Sequence, residues 1–279
     1  MYISEINIYP IKSLKGISVE SAVVEERGLQ HDRRWMLTDR SGKFLTQREF
    51  PRMALVETEI DDDSLWVAAE GFGSMELPMR PGTSGRRSVV IWQSICDAEV
   101  YDNGVNRWFS DVLGTDCQLV YMPDDSRRSV NPRFDTGGDV VSFADGYPLM
   151  MLGESSLADL NSRLEHQLPM NRFRPNLVVT GSDAFAEDDW LRVKIGDAEF
   201  RSTKPCERCV ITTIDHTRGE FDGKEPLKTL ASYRSARDVM PDRIETLGVG
   251  ATAVLFGQNV IPEQTGAKIA VGDTVNVIA

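Results

Sequence analysis

Histidine and cysteine are scarce: three and four, respectively, in 279 residues. His31, His166 and His216 show no H-x3-H spacing, and Cys96 and Cys117 stand apart, so a zinc knuckle with two ligand pairs is not written into the chain. Four scattered cysteines make no disulfide framework either. No run is long and apolar enough to span a bilayer. Met1-Tyr-Ile-Ser-Glu-Ile6 lacks the basic start and apolar core of a secretory signal and the arginine-rich character of a transit peptide, so the expected setting is a reducing cytoplasm. Positive charge is also short: 31 Lys and Arg stand against 43 Asp and Glu, a net charge of −12. That argues against a nucleic-acid partner, whose binding depends on phosphate neutralisation, but leaves room for a local basic pocket around a small anion.

At 41% hydrophobic and 27% charged, the chain has the composition of an ordinary globule. Short β-prone runs recur with turn signals between them, which predicts a barrel or sandwich. The expected strands are 3–8, 17–24, 35–38, 43–46, 55–60, 65–68, 88–92, 98–101, 117–122, 149–152, 177–180, 191–195, 198–202, 251–256 and 268–277, the last broken at Val271-Gly-Asp273. Within 17–24, Ile17, Val19, Ser21 and Val23 alternate onto one face. Asp39-Arg-Ser-Gly42 and Asp61-Asp-Asp-Ser64 read as hairpin turns. Helical spacing predicts helices over 103–113, with Trp108 in the core and Gly114 as the stop, over 156–164 with Ser156 and Asp159 as a capping box, and over 226–237. The polar stretch 123–138 reads as a long loop bordering the substrate mouth, and the chain is expected to divide there into 1–122 and 123–279.

The stretch with the most chemistry is Lys204-Pro-Cys-Glu-Arg-Cys-Val-Ile-Thr-Thr-Ile-Asp215. β-Branched Val210 to Ile214 favour a strand, which puts Cys209 at a strand mouth with Arg208 beside it. A neighbouring cation favours the thiolate, the form that binds soft metals. A redox dithiol normally precedes a helix. Spacing alone leaves open two buried structural thiols or a single-thiolate metal site. Three cationic segments accompany it. Tyr9-Pro-Ile-Lys-Ser-Leu-Lys-Gly16 offers Lys12, Ser13 and Lys15 to a phosphate, or is a solvated loop. In Asp32-Arg-Arg-Trp35, alternation sends Arg33 inward and Arg34 to solvent, with an Arg33–Asp32 pair as the other reading. In Asn171-Arg-Phe-Arg-Pro-Asn176, Pro175 holds Arg174 extended, and Arg172 and Arg174 then share a face.

These segments, with Cys206 through Gly219, Lys224 through Arg234 and Ser155 through Leu164, resemble the MOSC family of molybdenum-cofactor proteins, in particular the branch of the mitochondrial amidoxime-reducing component and its bacterial relatives. The resemblance runs through nearly the whole chain in family order. It implies a mainly β (α+β) fold with peripheral helices: an N-terminal MOSC-type β-barrel domain followed by a C-terminal MOSC β-barrel domain. It implies a molybdenum cofactor (Mo-molybdopterin) with Cys209 as the catalytic thiolate on the metal, and Cys206 as a neighbour that is not a ligand. Lys12, Ser13, Arg33, Arg174, Asn176 and Arg208 match positions that hold the pterin and its phosphate. Gly146 and Tyr147 match a loop approaching the cofactor, and Gln258 and Asn259 fall near a further contact. The implied reaction is two-electron reduction of N-hydroxylated compounds (hydroxylamines, amidoximes, N-hydroxylated base analogues) to amines or amidines, a detoxifying chemistry; the family's functional labels extend to pyridoxal phosphate binding. No C-x4-C-x2-C spacing for an iron–sulfur cluster is present, so electrons are expected from a separate ferredoxin, flavodoxin or cytochrome-type protein. Asp215 and His216 are proton-donor candidates by proximity in sequence, with His216 expected as an exposed turn residue. Two other readings stand beside this one: a cofactor carrier or sulfur-transfer protein bearing a Cys209 persulfide, and a non-catalytic barrel that grips an anion through Lys12, Arg33 and Arg174.

Overall fold

The two ends of the chain meet in one eight-stranded sheet. Its order is Ile17–Val19, Tyr2–Ile8, Leu177–Thr180, Leu149–Gly153, Leu255–Pro262, Ala198–Glu207, Arg192–Ile195 and Val275–Val277. In this computed structural model, which describes residues 1–61, 63–82 and 85–279, Leu149–Gly153 and Leu177–Thr180 pair in parallel and the other neighbours run antiparallel. Ile3 and Ile6 are three apart, so strict alternation would put them on opposite faces. A register shift between Ile3 and Glu5 brings both into the core beside Met151, Val179, Phe200 and Val260.

The other large unit joins a four-stranded sheet (Trp35–Thr38, Gln118–Tyr121, Ser94–Val100, Arg86–Ile91) to a meander of Glu57–Ile60, Ser64–Ala69 and Gly73–Pro78. They share a core of Trp35, Leu37, Leu65, Phe109 and Leu119. The helix Asn103–Leu113 covers it: Asp102 caps its N-terminus by accepting from the Gly104 and Val105 amides, and Gly114 ends it at φ 66°. Trp108, expected in the core, is only half-buried and packs against it from outside. The molecule is thus mainly β with few helices. Among the described residues no helix is long and apolar enough to cross a membrane.

Several expected elements differ. Strand 17–24 is broken at Glu20; its first half pairs with Tyr2–Ile8 and its second with Lys268–Ala270, so Val24 is the buried residue and Val23 only half-buried. Residues 43–46 make isolated bridges and no strand. The strand Gly73–Pro78, with glycine and proline at its ends, gave no sequence signal. The helix expected at Ser156 begins at Glu154, and the Ser156 hydroxyl bonds buried Glu187 instead of capping. The helix expected over 226–237 is two short ones, Leu227–Ala231 and Ala236–Val239. The strand expected over 251–256 begins at Leu255 and runs to Pro262. Asp62, within the expected Asp61–Ser64 turn, lies outside the described residues.

Candidate functional site

Strand Ala198–Glu207 delivers the two cysteines, but the strand expected from Val210 begins only at Ile214. Val210–Thr213 is a turn of 3-10 helix with Cys209 at its N-cap. The threonine hydroxyls explain the departure: Thr212 bonds back to the Cys209 carbonyl at 3.0 Å and Thr213 to the Val210 carbonyl at 2.8 Å, competing locally with strand pairing. The chain therefore turns away at Cys209, which lines a cavity of 180 Å³ between the two units.

The residues expected to hold the metal and cofactor line this cavity, except Gln258, which is buried outside its lining, and Lys15, which lines a separate depression. Lys12, Ser13 and Arg33 come from the first strand–loop region, and Gly146 and Tyr147 from the segment before Leu149–Gly153. Arg174 and Asn176 precede Leu177–Thr180; Arg208 and Cys209 follow Ala198–Glu207; Asn259 lies on the neighbouring strand. Backbone bonds hold the first group together: the Lys12 amide donates to the Trp35 carbonyl at 2.7 Å and the Arg33 amide to the Tyr9 carbonyl at 2.9 Å.

How these residues reach the cavity differs from strand alternation. Arg33 has φ 49°, so it leaves the strand direction, while Trp35 enters the core. Its Nη1 donates to Asp32 at 2.6 Å and to the Asn176 side-chain oxygen at 2.8 Å. Arg34 is not solvated; it is buried and donates to the Met122 carbonyl at 2.7 Å and to Asp124 at 2.6 Å. Arg174 is not extended. It follows the 3-10 turn Met170–Phe173 at φ 56° and ψ 46°, and its Nη1 donates to the Leu14 carbonyl at 2.7 Å. Ser13 also has positive φ, so three of the six described non-glycine residues with positive φ line this one cavity. Backbone strain of this kind persists where surrounding structure enforces it, commonly at functional sites.

Tyr9 sits between the two arginines. The Arg33 and Arg174 guanidinium carbons lie 4.3 Å and 4.1 Å from its ring centroid. Gly16 makes room for the ring, since a Cβ there would stand 2.5 Å from Tyr9 Cε1. The Tyr9 hydroxyl donates to the Pro175 carbonyl at 3.0 Å. Burial drives its pKa up to about 12 against the pull of both arginines, so it stays protonated.

The expected neighbour of the thiol, Arg208, is otherwise engaged. It donates to the Phe256 and Phe173 carbonyls at 2.7 Å and 3.1 Å. The cation at the sulfur is Arg48, whose Nη2 donates to Cys209 Sγ at 3.1 Å. Sequence reasoning missed it, because Thr46-Gln47-Arg48 carries no motif; the buried Gln47, bonded to the Ser13 carbonyl, is what brings this loop to the site. Asp145 was missed too. It accepts from Lys12 Nζ at 2.5 Å and lies 3.7 Å from Arg48. Burial pushes its carboxyl up, but Lys12, Arg48 and Trp92 together hold it well below the usual carboxylate range. Burial lowers Lys12 to about 8 even with Asp145 pulling the other way. The loop 123–138 does not line the cavity as expected. Its Arg128 instead clamps the wall by donating to the carbonyls of Ser142, Ala144 and Asp145 at 2.9, 2.5 and 2.8 Å.

Neither proton-donor candidate serves the cavity. Asp215 caps its own turn, and bonds from Thr217 hold it down to about 2. His216 is half-buried rather than exposed and lines a neighbouring depression of 1060 Å³ that meets the cavity at Arg174. Burial, aided by Arg174 and Arg172, lowers it to about 3. Cys206 lines the cavity beside Cys209, and burial raises its thiol.

The cavity wall holds six cationic side chains (Lys12, Arg33, Arg48, Arg172, Arg174, Arg208) against Asp145 and Glu207, in a protein whose net charge is −12. Two buried polar atoms on the wall, Arg172 Nε and the Tyr147 hydroxyl, have no protein partner. A soft sulfur beside unspent donors and excess positive charge fits an anionic, oxygen-rich group that also carries a soft metal. No cluster of three or more His, Cys, Asp or Glu side chains that could hold a metal converges among the described residues; the sulfurs on the cavity are those of Cys206 and Cys209.

A mainly β molecule with this cavity between its halves is of the MOSC class: the MOSC N-terminal beta barrel domain matches residues 1–116 and the MOSC domain residues 138–276. The chain belongs to this family. It is 36% identical to mitochondrial amidoxime reducing component 2 of Bos taurus over 98% of this chain and 82% of that one. It is 32% identical to mitochondrial amidoxime-reducing component 1 of Homo sapiens over 99% and 82%. It is also 32% identical to the molybdenum cofactor sulfurase of Arabidopsis thaliana over 99% of this chain, but only 35% of that larger protein.

Proposed function

We propose that the cavity holds a molybdenum cofactor and that the protein is a reductase of N-hydroxylated compounds, converting hydroxylamines, amidoximes or N-hydroxylated base analogues to amines or amidines and water in the cytoplasm. The observation that supports this best is the convergence, in an acidic protein, of a sulfur from one half of the chain with cations from both halves on one cavity. The reading assigns Cys209 Sγ to the metal. Lys12, Ser13, Arg33 and Arg174 hold the phosphate and pterin oxygens, with Gly146, Tyr147 and Asn259 along the pterin edge. Asn176 and Arg208 keep the wall in place: Asn176 accepts from Arg33 and from the Met150 amide and donates to the Asn7 carbonyl. When bound, the cofactor supplies a two-electron couple; with two protons, an N–OH group leaves as N–H and water. The electrons come from a separate redox protein.

The test is molybdenum and pterin content after expression with cofactor supply, together with reduction of benzamidoxime by an artificial reductant. Cys209→Ala is expected to lose bound metal and activity, and Cys206→Ala to keep a substantial share of both. Equal loss in the two variants overturns the single-thiolate site. Protein-bound sulfane sulfur on Cys209 without turnover supports the sulfur-transfer reading, which the likeness to the sulfurases favours.

A further inference from the structure

We infer that Trp92 is a specificity residue of this site, presenting an aromatic plane to substrates whose N–O group is attached to a flat, conjugated system. The inference rests on the proposed reductase reading and adds a substrate class to it.

Trp92 follows the strand Arg86–Ile91, at the hairpin turn into Ser94–Val100. Its φ is 54°, a conformation costly for a bulky side chain. The two-residue turn Trp92-Gln93 between Ile91 and Ser94 imposes that φ, yet the position holds a bulky aromatic that is 49% exposed and that core packing does not require. A large exposed aromatic at a turn position that glycine or asparagine fills more readily is available for contact with something else.

The indole is also held in place. Its ring lies 5.1 Å from Phe44 at an interplanar angle of 60°, and the Arg48 guanidinium stands 4.8 Å from its centroid. Its Nε1 donates to Asp145 Oδ1 at 3.3 Å. Both polar partners are site residues: Arg48 donates to Cys209 Sγ, and Asp145 pairs with Lys12. Trp92 is therefore two contacts from the sulfur, outside the cavity lining itself but in contact with two residues of that lining, Arg48 and Asp145. A fixed, half-open aromatic surface beside a reaction centre favours ligands that stack on it over small or puckered ones of the same chemistry.

The experiment compares benzamidoxime with acetamidoxime as substrates of the cofactor-loaded protein and its Trp92→Phe and Trp92→Leu variants. It also measures, by calorimetry on cofactor-free protein, the binding of benzamidine against the non-planar cyclohexanecarboxamidine. The expected result is that Trp92→Leu lowers the ratio of kcat/KM for benzamidoxime to that for acetamidoxime about tenfold, through KM, and abolishes the preference for benzamidine. Trp92→Phe, which keeps a smaller plane, falls between. An equal fall for both substrates, with no planar preference in the cofactor-free wild type, overturns the inference and leaves Trp92 as a prop for Arg48. If the loaded wild type reduces neither substrate yet still prefers benzamidine in a Trp92-dependent way, the reductase reading fails and the aromatic platform stands.

Discussion

The two walls of the cavity are built on different principles. On the side of Phe173, Asn176 and Arg208, polar groups are spent on the protein itself: Arg208 bonds two carbonyls, and Asn176 ties Arg33 to two backbone segments. On the side of Lys12, Arg48 and Asp145, charges meet charges or sulfur across the opening, and each can be re-paired when an anion arrives. The first wall is a bracket that fixes where the sulfur stands. The second is a set of exchangeable charges.

Three perturbations sharpen that contrast. The largest effect is expected in the bracket. Arg208→Ala leaves the Phe173 and Phe256 carbonyls without their partner, at a cost of about 3 kcal/mol, and thermal unfolding should show a Tm lower by roughly 10 °C even without cofactor. A change of one or two degrees breaks the distinction between the walls.

Next comes the exchangeable wall. The Lys12 ammonium, lowered to about 8 by burial, is protonated below that pH and loses its charge above it. A bound anion favours the charged form and raises this pKa, so anion affinity is full below about pH 8 and declines as pH rises beyond it. Cofactor retention measured from pH 7 to 9.5 should fall in the wild type and stay level in Lys12→Arg. A level wild-type curve would remove Lys12 from the grip.

The smallest effect belongs to the hinge between the walls, Tyr9. Each guanidinium–ring contact contributes about 1 kcal/mol. Tyr9→Phe keeps both contacts and should retain cofactor, whereas Tyr9→Leu should lose it several-fold faster on gel filtration. Equal retention would make the aromatic sandwich incidental to the grip.

Much of this was legible in the chain. The β pattern came through where alternation and turns coincide, as in Arg192–Ile195 and its partner across Gly196-Asp197, and the helix 103–113 through its spacing and glycine stop. The family resemblance named residues that the fold then gathered around one cavity. What did not come through is local geometry that tertiary contacts impose. Arg33 and Arg174 adopt left-handed backbone that no propensity predicts for arginine, and Val210–Thr213 abandons its β preference because two hydroxyls find nearer acceptors. Arg48, Asp145 and Trp92 are invisible in sequence for a different reason. Each is ordinary by itself, and only their meeting around Arg48, the one of them that touches the sulfur, gives them meaning.

The eight-stranded sheet has a consequence for the order in which the molecule comes into being. Emerging from the ribosome, Tyr2–Ile8 has no neighbour in Leu177–Thr180 until most of the polypeptide has been synthesised. Lys12 and Ser13 meanwhile wait far from Cys209. Long-range closure of this kind is slow, and a ligand that needs both walls can enter only after translation has passed the second cysteine of the C-x-x-C stretch. Any ligand held by both walls is thus a late arrival, and the half-made chain must do without it.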